Sequence, residues 1–277
     1  MQWTSETPYG KLKSLYYPST LTFEKEASCS IQPKLLPNLL EAAEKLGVKV
    51  FVGLNLSDEW WSFACSKEDW NSMQASLGVE MAKEIYALYK EKYPNALHGW
   101  YFAWEMFNGM SGQEAKAASF LNQYLDPLDK LDPSMPLMLS PFIRSSGGSA
   151  SSAGREWTTV FSKTNFRKGD IFCCQDAVGA GWINISQMDG YFAALKEAVD
   201  SKPGLLFWAN NECFTKDYHP RPVNEFLQQM QIAQPYVSGY VTFAYSHYYS
   251  PDVPGKAENR TYHDAYIRYY ETGELNP

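Results

Sequence analysis

The amino-acid sequence predicts an α/β fold, a (β/α)8 TIM barrel that lacks its first strand, its first helix and most of its second strand. Three observations predict it: short apolar runs alternate with amphipathic stretches, the later runs are evenly spaced, and no linker divides the chain. The runs are too short for buried helices and lack strict alternation of apolar and polar residues, as is typical of parallel strands covered on both faces. They occupy residues 48–56, 97–106, 136–143, 169–179, 204–214 and 237–249.

The stretches between the runs predict helices because apolar residues recur there every three or four positions. The midpoints of four successive runs, Leu139, Cys173, Phe207 and Val241, are 34 residues apart in each case. A βα unit of this length, repeated without a break, builds a barrel of parallel strands. The helices are predicted at 33–46, 69–92, 112–131, 153–165, 187–200, 222–234 and, after the last strand, 261–272.

A single domain over residues 1–277 is predicted, since the Ser- and Gly-rich stretch 145–154 follows a strand and opens a helix. Six strands fall short of the eight in a closed barrel, and an open barrel exposes strand edges, which proteins avoid. We therefore expect the natural protein to contain residues upstream of Met1. We also expect residues 1–32 to be mostly irregular, with Met1-Gln2-Trp3 alongside the strand 48–56.

Composition argues against several function classes. A formal charge of −7 and a pI near 5.2 argue against binding to nucleic acid, whose phosphates need a basic surface. No window approaches the ~20 apolar residues of a membrane span, and the cysteines and histidines lack metal-site spacing, so no metal and no cofactor are predicted. Aromatic residues make up 16% of the chain, which suits either stacking on sugars or dense core packing. The location is expected to be cytoplasmic if Met1 is the true start, and secreted or periplasmic if a signal peptide preceded it.

Two glutamates at the ends of predicted strands are the candidate catalytic residues, because reacting groups of α/β barrels lie there. Glu105 ends the run GWYFAWEM, where the small residue Ala103 shares its face and leaves it room. Glu212 ends the run WANNECF, directly after two amides that suit sugar hydroxyls. The structural alternative is that either glutamate only caps a helix or pairs with an arginine.

Further polar and aromatic residues at strand ends are predicted to bind substrate. Trp104 is a candidate stacking platform for a sugar ring. Asp176 could bind substrate, tune the pKa of a glutamate, act as the second carboxylate of an inverting enzyme, or cap the next helix. His247 could contact substrate or orient a carboxylate. The predicted substrate-binding residues are Asn55, Trp104, Gln175, Asp176, Trp208, Asn210, Tyr245 and His247.

Two carboxylates on different strands of one barrel suit glycoside hydrolysis, in which one protonates the leaving oxygen and the other acts as nucleophile or base. If the two missing strands are the first two, the glutamates hold barrel positions four and seven, as in the retaining clan of cellulases and β-galactosidases. That clan has Asn before the acid/base residue, whereas this chain has Trp104, so retention is favoured by position only. Aromatic neighbours are expected to raise the pKa of Glu105, which would be the general acid/base. Glu212 is expected to stay ionised, as nucleophile or base.

Five sequence blocks together resemble one family. They are LYYPS (15–19), GWYFAWE (99–105), QDAVG (175–179), WANNECF (208–214) and HYYSP (247–251). The chain is similar to the bacterial domain-of-unknown-function family 4434, which is described as glycoside-hydrolase-like TIM barrels. The resemblance spans nearly the whole chain and implies a carbohydrate-active barrel, but it names no sugar. The alternative is a non-catalytic carbohydrate-binding TIM barrel that keeps the aromatic residues without the catalytic geometry.

Overall fold

The computed structural model describes residues 1, 3–7 and 10–274, which form two compact units, each assembled from several segments. Unit 1 comprises Met1–Met106, Met110–Leu139 and Thr159–Ile171, and unit 2 comprises Phe107–Gly109, Ser140–Thr158 and Phe172–Pro277. That residues 1–277 form one domain stays a prediction. Within the described part of the chain, no helix combines the length and the apolar character that crossing a membrane requires.

From the first helix onward, the longer strands and helices alternate along the chain, and the short elements Asn55–Leu56, Trp60–Phe63 and Tyr245–Tyr248 are added between them. The strands are β1 (Ser5–Glu6), β2 (Leu12–Leu15), β3 (Lys25–Ile31), β4 (Val50–Gly53), β5 (Asn55–Leu56), β6 (Leu97–Phe102), β7 (Leu137–Leu139), β8 (Ile171–Gln175), β9 (Leu206–Glu212) and β10 (Gly239–Phe243). The helices are α1 (Leu35–Leu46), α2 (Trp60–Phe63), α3 (Glu68–Tyr89), α4 (Glu114–Leu131), α5 (Ala150–Lys163), α6 (Ile185–Asp200), α7 (Val223–Ala233), α8 (Tyr245–Tyr248) and α9 (Asn259–Thr272).

Six of the strands form one parallel sheet, in the order β4-β6-β7-β8-β9-β10. They coincide with the six apolar runs of the sequence, so the predicted α/β class with a parallel sheet is confirmed. In unit 1, Trp100 of β6 is level with Leu137 of β7. In unit 2, Glu212 at the end of β9 is level with Phe243 at the end of β10. Within each unit, the carboxyl ends of neighbouring strands therefore lie at one edge.

Each of the seven predicted helices is present, with bounds that differ by a few residues from the predicted ones. The helix α1 shows why the pattern works: Leu36, Leu40 and Ala43 are buried on one face, at the spacing that a 3.6-residue period requires. Gly47 ends this helix with φ of 68°, in the left-handed region that favours glycine.

Just over half of the described residues in the stretch 1–32 are irregular, as expected, but the stretch also contains three strands that the sequence did not predict. The strands β1, β2 and β3 form a second sheet with β5, in the order β3-β2-β1-β5, and β1 pairs with β2 in the antiparallel direction. Leu12 and Leu15 of β2 are buried, while the neighbouring Lys13 forms an ion pair of 2.8 Å with Glu6 of β1. Such short strands are held in place by pairing with their neighbours. Because each contains few apolar residues, its sequence pattern is too weak to predict a strand.

The predicted position of the N-terminal residues is confirmed for Met1. The backbone N–H of Gly53 donates to the carbonyl of Met1 at 2.9 Å, and the amino group of Met1 donates to the carbonyl of Phe51 at 3.1 Å. Thr4 continues this contact through a bond of 2.8 Å to the carbonyl of Leu54. Gln2 lies outside the described residues.

Candidate active site

Two carboxylates of unit 2, Asp176 and Glu212, lie side by side at the ends of neighbouring strands. Asp176 directly follows β8, and Glu212 is the last residue of β9. The backbone N–H of Asp176 donates to the carbonyl of Asn210 at 3.1 Å, and the backbone N–H of Glu212 donates to Oδ2 of Asp176 at 3.2 Å. The two strand ends are thus joined through the acidic side chain itself.

The carboxyl group of Glu212 lies beneath the loop 177–183 that follows β8. Its side chain is 2% exposed, and Oε2 accepts a hydrogen bond of 2.7 Å from the backbone N–H of Ala180. The backbone N–H of Gly179 is a second donor. A Cβ at Gly179 would lie 2.7 Å from Cβ of Glu212 and 2.6 Å from the carbonyl oxygen of Phe214, so only glycine permits this approach.

Burial raises the pKa of Glu212 to about 8, and the negative charge of Asp176 raises it further within that shift. The N–H groups of Ala180 and Gly179 and the charge of Arg221 act in the opposite direction, because they stabilise the anion. The direction of this shift runs against the expectation that Glu212 stays ionised, because it favours the protonated carboxyl near neutral pH.

Asp176 is fully buried and accepts hydrogen bonds from four N–H groups. On Oδ2 the donors are the Asn211 amide at 2.9 Å, the Gln229 amide at 2.6 Å and the Glu212 backbone, and on Oδ1 the donor is the Val178 backbone at 3.0 Å. Burial raises the pKa of Asp176, and these donors lower it. Because all four partners donate, Asp176 acts only as an acceptor, which is the behaviour of the ionised form. We infer that the pair holds its negative charge on Asp176 and its proton on Glu212.

The two amides that precede Glu212 do not bind its carboxyl, so they do not stabilise its anion as the sequence had suggested. The amide nitrogen of Asn211 donates to Asp176 at 2.9 Å, and that of Asn210 donates to Oγ of Ser140 at 3.0 Å. The amide nitrogen of Gln175 donates to the carbonyl of the same Ser140 at 3.0 Å. Asn210 and Gln175 thus both bind Ser140, and both are buried. Oδ1 of Asn210 is buried without a hydrogen-bond partner among the described residues.

A stack of aromatic rings continues from the end of β9, and the sequence analysis missed it. Phe214 stacks on Tyr218 with ring centroids 6.0 Å apart and on Tyr248 with centroids 5.1 Å apart. Tyr218 is 71% exposed, whereas Tyr248 is buried and contributes to the electrostatic surroundings of Glu212. The exposed ring of Tyr218 is therefore a candidate platform for a sugar. Lys216 lies two residues before Tyr218 in the chain. The sequence signal that could have indicated this platform is a tyrosine within the polar loop that follows β9.

A second group of side chains in unit 2, which we call the Arg144 cluster, consists of Phe107, Phe142, Arg144 and Trp182. The centroids of Phe142 and Trp182 are 6.2 Å apart. The guanidinium carbon of Arg144 lies 5.3 Å from the ring centroid of Phe107 and 5.9 Å from that of Trp182. None of these residues was predicted to bind substrate, although Trp182 follows two glycines in the loop after β8, where a tryptophan has no helix to pack against.

Three other predicted residues of unit 2 lie near β10, Trp208 at its start and Tyr245 and His247 just after its end. Trp208, half-buried, packs its ring on the backbone at Gly239, where a Cβ would come within 2.6 Å of it. Tyr245 and His247 belong to the short helix α8. The hydroxyl of Tyr245 forms a hydrogen bond with Nδ1 of His263, while Nε2 of the exposed His247 lies 3.1 Å from Nζ of Lys256. His247 therefore contacts a cation and does not orient a carboxylate.

In unit 1, Glu105 is partly buried just beyond β6, and its backbone carbonyl accepts a hydrogen bond of 3.0 Å from Nε1 of Trp60. The neighbouring Trp104 lies in the core of unit 1. Trp104 is 1% exposed and packs against Trp70, with centroids 5.3 Å apart, and against Phe120 at 5.9 Å. The structure therefore gives Trp104 a role in core packing and leaves no open ring face for a sugar.

Asn55 is likewise part of the interior of unit 1. It is 1% exposed, and its amide nitrogen donates to the backbone carbonyl of Gln74 at 3.0 Å and to the side-chain oxygen of Gln74 at 2.9 Å. Its side-chain oxygen accepts a hydrogen bond of 3.1 Å from the hydroxyl of Tyr124, which in turn accepts one of 2.8 Å from Nε1 of Trp104. Both predicted binding residues therefore belong to one buried polar network between strand and helix.

Comparison with known proteins supports the fold and identifies the family. The chain is similar to a protein from Bacteroides thetaiotaomicron VPI-5482 described as a "putative alpha-L-fucosidase", with a TM-score of 0.77 and 22% identity over 97% of this chain and 81% of that one. At that identity the likeness shows the fold alone, which is glycoside-hydrolase-like. A β-D-glucuronidase of Dictyoglomus thermophilum matches with a TM-score of 0.43 and 12% identity, over 84% of this chain and 38% of that one. That score is too low to support an argument, and no curated protein matches the chain. The model of the domain of unknown function DUF4434 matches residues 1–257, and the chain belongs to that family.

Proposed function

We propose that this protein is a glycoside hydrolase in which Glu212 is the general acid. The observation that carries the proposal is the buried carboxyl of Glu212, with a pKa of about 8, at the carboxyl end of a parallel strand. A group that must give a proton to a leaving oxygen near neutral pH needs a raised pKa, and burial beside a second carboxylate is the usual way to obtain it. Support at the level of the fold comes from the glycosidase-like structural relative.

In the proposed step, the O–H of Glu212 protonates the glycosidic oxygen while the bond from that oxygen to the anomeric carbon breaks. The departing alcohol takes the proton, and Glu212 becomes a carboxylate that the N–H groups of Ala180 and Gly179 stabilise. Asp176 does not attack the sugar, because both of its oxygens are occupied by N–H donors and it is fully buried. Its role is to keep the proton on Glu212.

The reaction also requires a second carboxylate, and that Glu105, three residues beyond the end of β6, supplies it stays a prediction from the sequence. This assignment exchanges the roles expected from the sequence, since the raised pKa belongs to Glu212. Glu105 would then act as the nucleophile or as the base for a water molecule. Retention and inversion of the anomeric carbon both remain compatible with this proposal.

The experiment compares Glu212→Gln and Glu105→Gln on alkyl glycosides and on 2,4-dinitrophenyl glycosides. The first sugar to be tested is α-L-fucose, because of the structural relative. Glu212→Gln is expected to lower turnover of alkyl glycosides by about 10²- to 10⁴-fold but to spare 2,4-dinitrophenyl glycosides, whose leaving group needs no proton. Glu105→Gln is expected to lose both activities. The control is Glu197→Gln on α6, an exposed glutamate of unit 2. Equal loss of both activities in Glu212→Gln would contradict the assignment.

The alternative is a carbohydrate-binding protein in which Asp176 and Glu212 form a structural acid pair. The observation that favours it is the 2% exposure of Glu212, since a proton donor must reach its substrate. Under this alternative no glycoside is hydrolysed, Glu212→Gln leaves sugar binding unchanged, and the exposed ring of Tyr218 still contributes to affinity. Calorimetry with the same oligosaccharides that are tested as substrates distinguishes the two functions.

A further inference from the structure

The Arg144 cluster presents a positive charge among aromatic rings beyond the strand ends of unit 2. The guanidinium of Arg144 lies 5.3 Å from the ring centroid of Phe107 and 5.9 Å from that of Trp182. Arg144 is half-buried, and Trp182 is 45% exposed. Aromatic faces at these distances hold a guanidinium in place while excluding part of its water, which strengthens its interaction with an anion.

The backbone around Arg144 is fixed, so the position of its side chain is defined before any ligand binds. Oδ1 of Asn108 accepts a hydrogen bond of 2.7 Å from the backbone N–H of Arg144, and the amide nitrogen of Asn108 donates to the carbonyl of Arg144 at 2.9 Å. Nε of Arg144 donates to Oγ of Ser146 at 2.8 Å. A cation anchored in this way loses little entropy on binding an anion.

The charge of Arg144 is not neutralised by a carboxylate in the part of the chain that the structure describes. Two other arginines of the protein are paired: Arg167 lies 2.9 Å from Asp170, and Arg221 lies 2.9 Å from Glu225. No ion pair of this kind includes Arg144 among the described residues. The terminal nitrogens of its guanidinium can therefore form the paired hydrogen bonds that suit a planar anion.

The loop 177–183 joins this cluster to the proposed acid. The backbone N–H of Ala180 holds Glu212 at 2.7 Å, and Trp182 follows two residues later. Consecutive Cα atoms are about 3.8 Å apart, so these two residues lie within about 8 Å of each other along the chain. The backbone N–H of Trp182 donates to the carbonyl of Ala177 at 3.0 Å, which closes the loop. The loop that binds the carboxyl of Glu212 therefore also carries one ring of the Arg144 cluster.

We propose that the Arg144 cluster is a subsite for a sugar ring that carries an anionic substituent, either a carboxylate or a sulfate. Trp182 supplies a flat apolar face for the ring, and Arg144 binds the anion through its terminal nitrogens. The proposal rests on the proposed function and adds a substrate class to it: the protein acts on acidic glycans in preference to neutral ones.

The experiment measures kcat/KM for 4-methylumbelliferyl uronides, for 6-sulfated hexosides and for the matched neutral hexosides. At least one anionic series is expected to exceed its neutral counterpart by 10-fold or more, and Arg144→Gln is expected to reduce that ratio by about 10- to 100-fold. Arg144→Lys keeps the charge but loses the planar fork, so an intermediate ratio is expected. Arg260→Gln, at an exposed position of α9, removes the same charge elsewhere and is the matched control.

The outcomes separate this inference from the proposed function. Hydrolysis of neutral glycosides with no preference for anionic ones, unchanged in Arg144→Gln, would overturn the subsite and leave the hydrolase. If no glycoside is hydrolysed, calorimetric titration with a uronic acid disaccharide and a sulfated disaccharide decides. Binding that is lost in Arg144→Gln but kept in Arg260→Gln supports the subsite without the hydrolase, and absence of binding overturns it. Thermal unfolding followed by circular dichroism verifies that each variant is folded.

Discussion

Replacing Glu212 by Gln should change how the stability of the protein depends on pH. In the folded protein the pKa of Glu212 is raised from 4.5 to about 8, first by burial and then by the charge of Asp176. In the unfolded chain the same carboxyl ionises near 4.5. Between these two values the folded state holds a proton that the unfolded state has released. The contribution of Glu212 to stability is therefore complete below pH 4.5 and is lost as the pH rises to about 8.

The magnitude follows from the size of the interval. The free energy of unfolding falls by about 1.36 kcal/mol for each pH unit in which only the folded state is protonated. From pH 5.5 to 7.5 the loss is about 2–3 kcal/mol, and Glu212 is too deeply buried for solvent screening to reduce it much. Glutamine has a similar shape and does not titrate, so the variant lacks this loss. His98, whose pKa is lowered by burial, gives a slope of opposite sign, but both proteins share it.

The assay is urea unfolding of the wild type and of Glu212→Gln at pH 5.5, 6.5 and 7.5. The difference between the two free energies of unfolding should change by about 2–3 kcal/mol over this range, in the direction that favours the variant at high pH. The ¹³C signal of the Glu212 carboxyl should titrate near pH 8 in the folded wild type. A difference that stays constant within about 0.5 kcal/mol would refute the raised pKa and, with it, the role of Glu212 as general acid.

Three further substitutions test the surroundings of Glu212 and the corrected role of Trp104. Gly179→Ala should lower stability by about 1–3 kcal/mol in urea unfolding because its Cβ would lie 2.6 Å from the carbonyl oxygen of Phe214, whereas Gly190→Ala, whose Cβ has room within a helix, should not be destabilising. Asp176→Asn should lower the pKa of Glu212 by about one unit or more, so the alkaline limit of the pH–rate profile should move down; an unchanged limit would contradict the coupling. Trp104→Ala should lower the free energy of unfolding by about 3–5 kcal/mol, because the ring is buried. Tyr218→Ala should change it by less than about 0.5 kcal/mol and weaken sugar binding in calorimetry. The opposite pattern would return Trp104 to the binding site.

The parallel strands and the helices could be predicted from the sequence because their environment is repeated along each element. A strand covered on both faces, such as β8, in which four of the five buried residues are apolar, must be largely apolar, and this leaves a clear run in the sequence. The strand β3 has the sequence KEASCSI and lies mostly exposed, so only its partner β2 holds it in place. A structure that depends on pairing between segments leaves little trace in either segment alone.

The candidate site could be predicted in position but not in charge state. Strand ends placed Asp176 and Glu212 among the candidates, because the topology alone brings such residues to one edge of a sheet. Their protonation depends on which amide binds which carboxyl, and this was settled by Asn211 and Gln229, the second of which lies 53 residues from Asp176. A choice between two hydrogen-bond acceptors that are neighbours in space is not encoded in the spacing of residues along the chain.

The loop 177–183 contributes both to the surroundings of Glu212 and to the Arg144 cluster. Its N–H groups at Gly179 and Ala180 bind the carboxyl of Glu212, and its Trp182 forms one side of the Arg144 cluster. The loop is closed on itself through Ala177, and Asn184 starts the next helix with a capping box that fixes its exit. A displacement of this loop would therefore change the pKa of Glu212 and the geometry of the proposed anionic subsite together. Because the N–H groups of Gly179 and Ala180 stabilise the anion, their removal would favour the protonated form of Glu212 further.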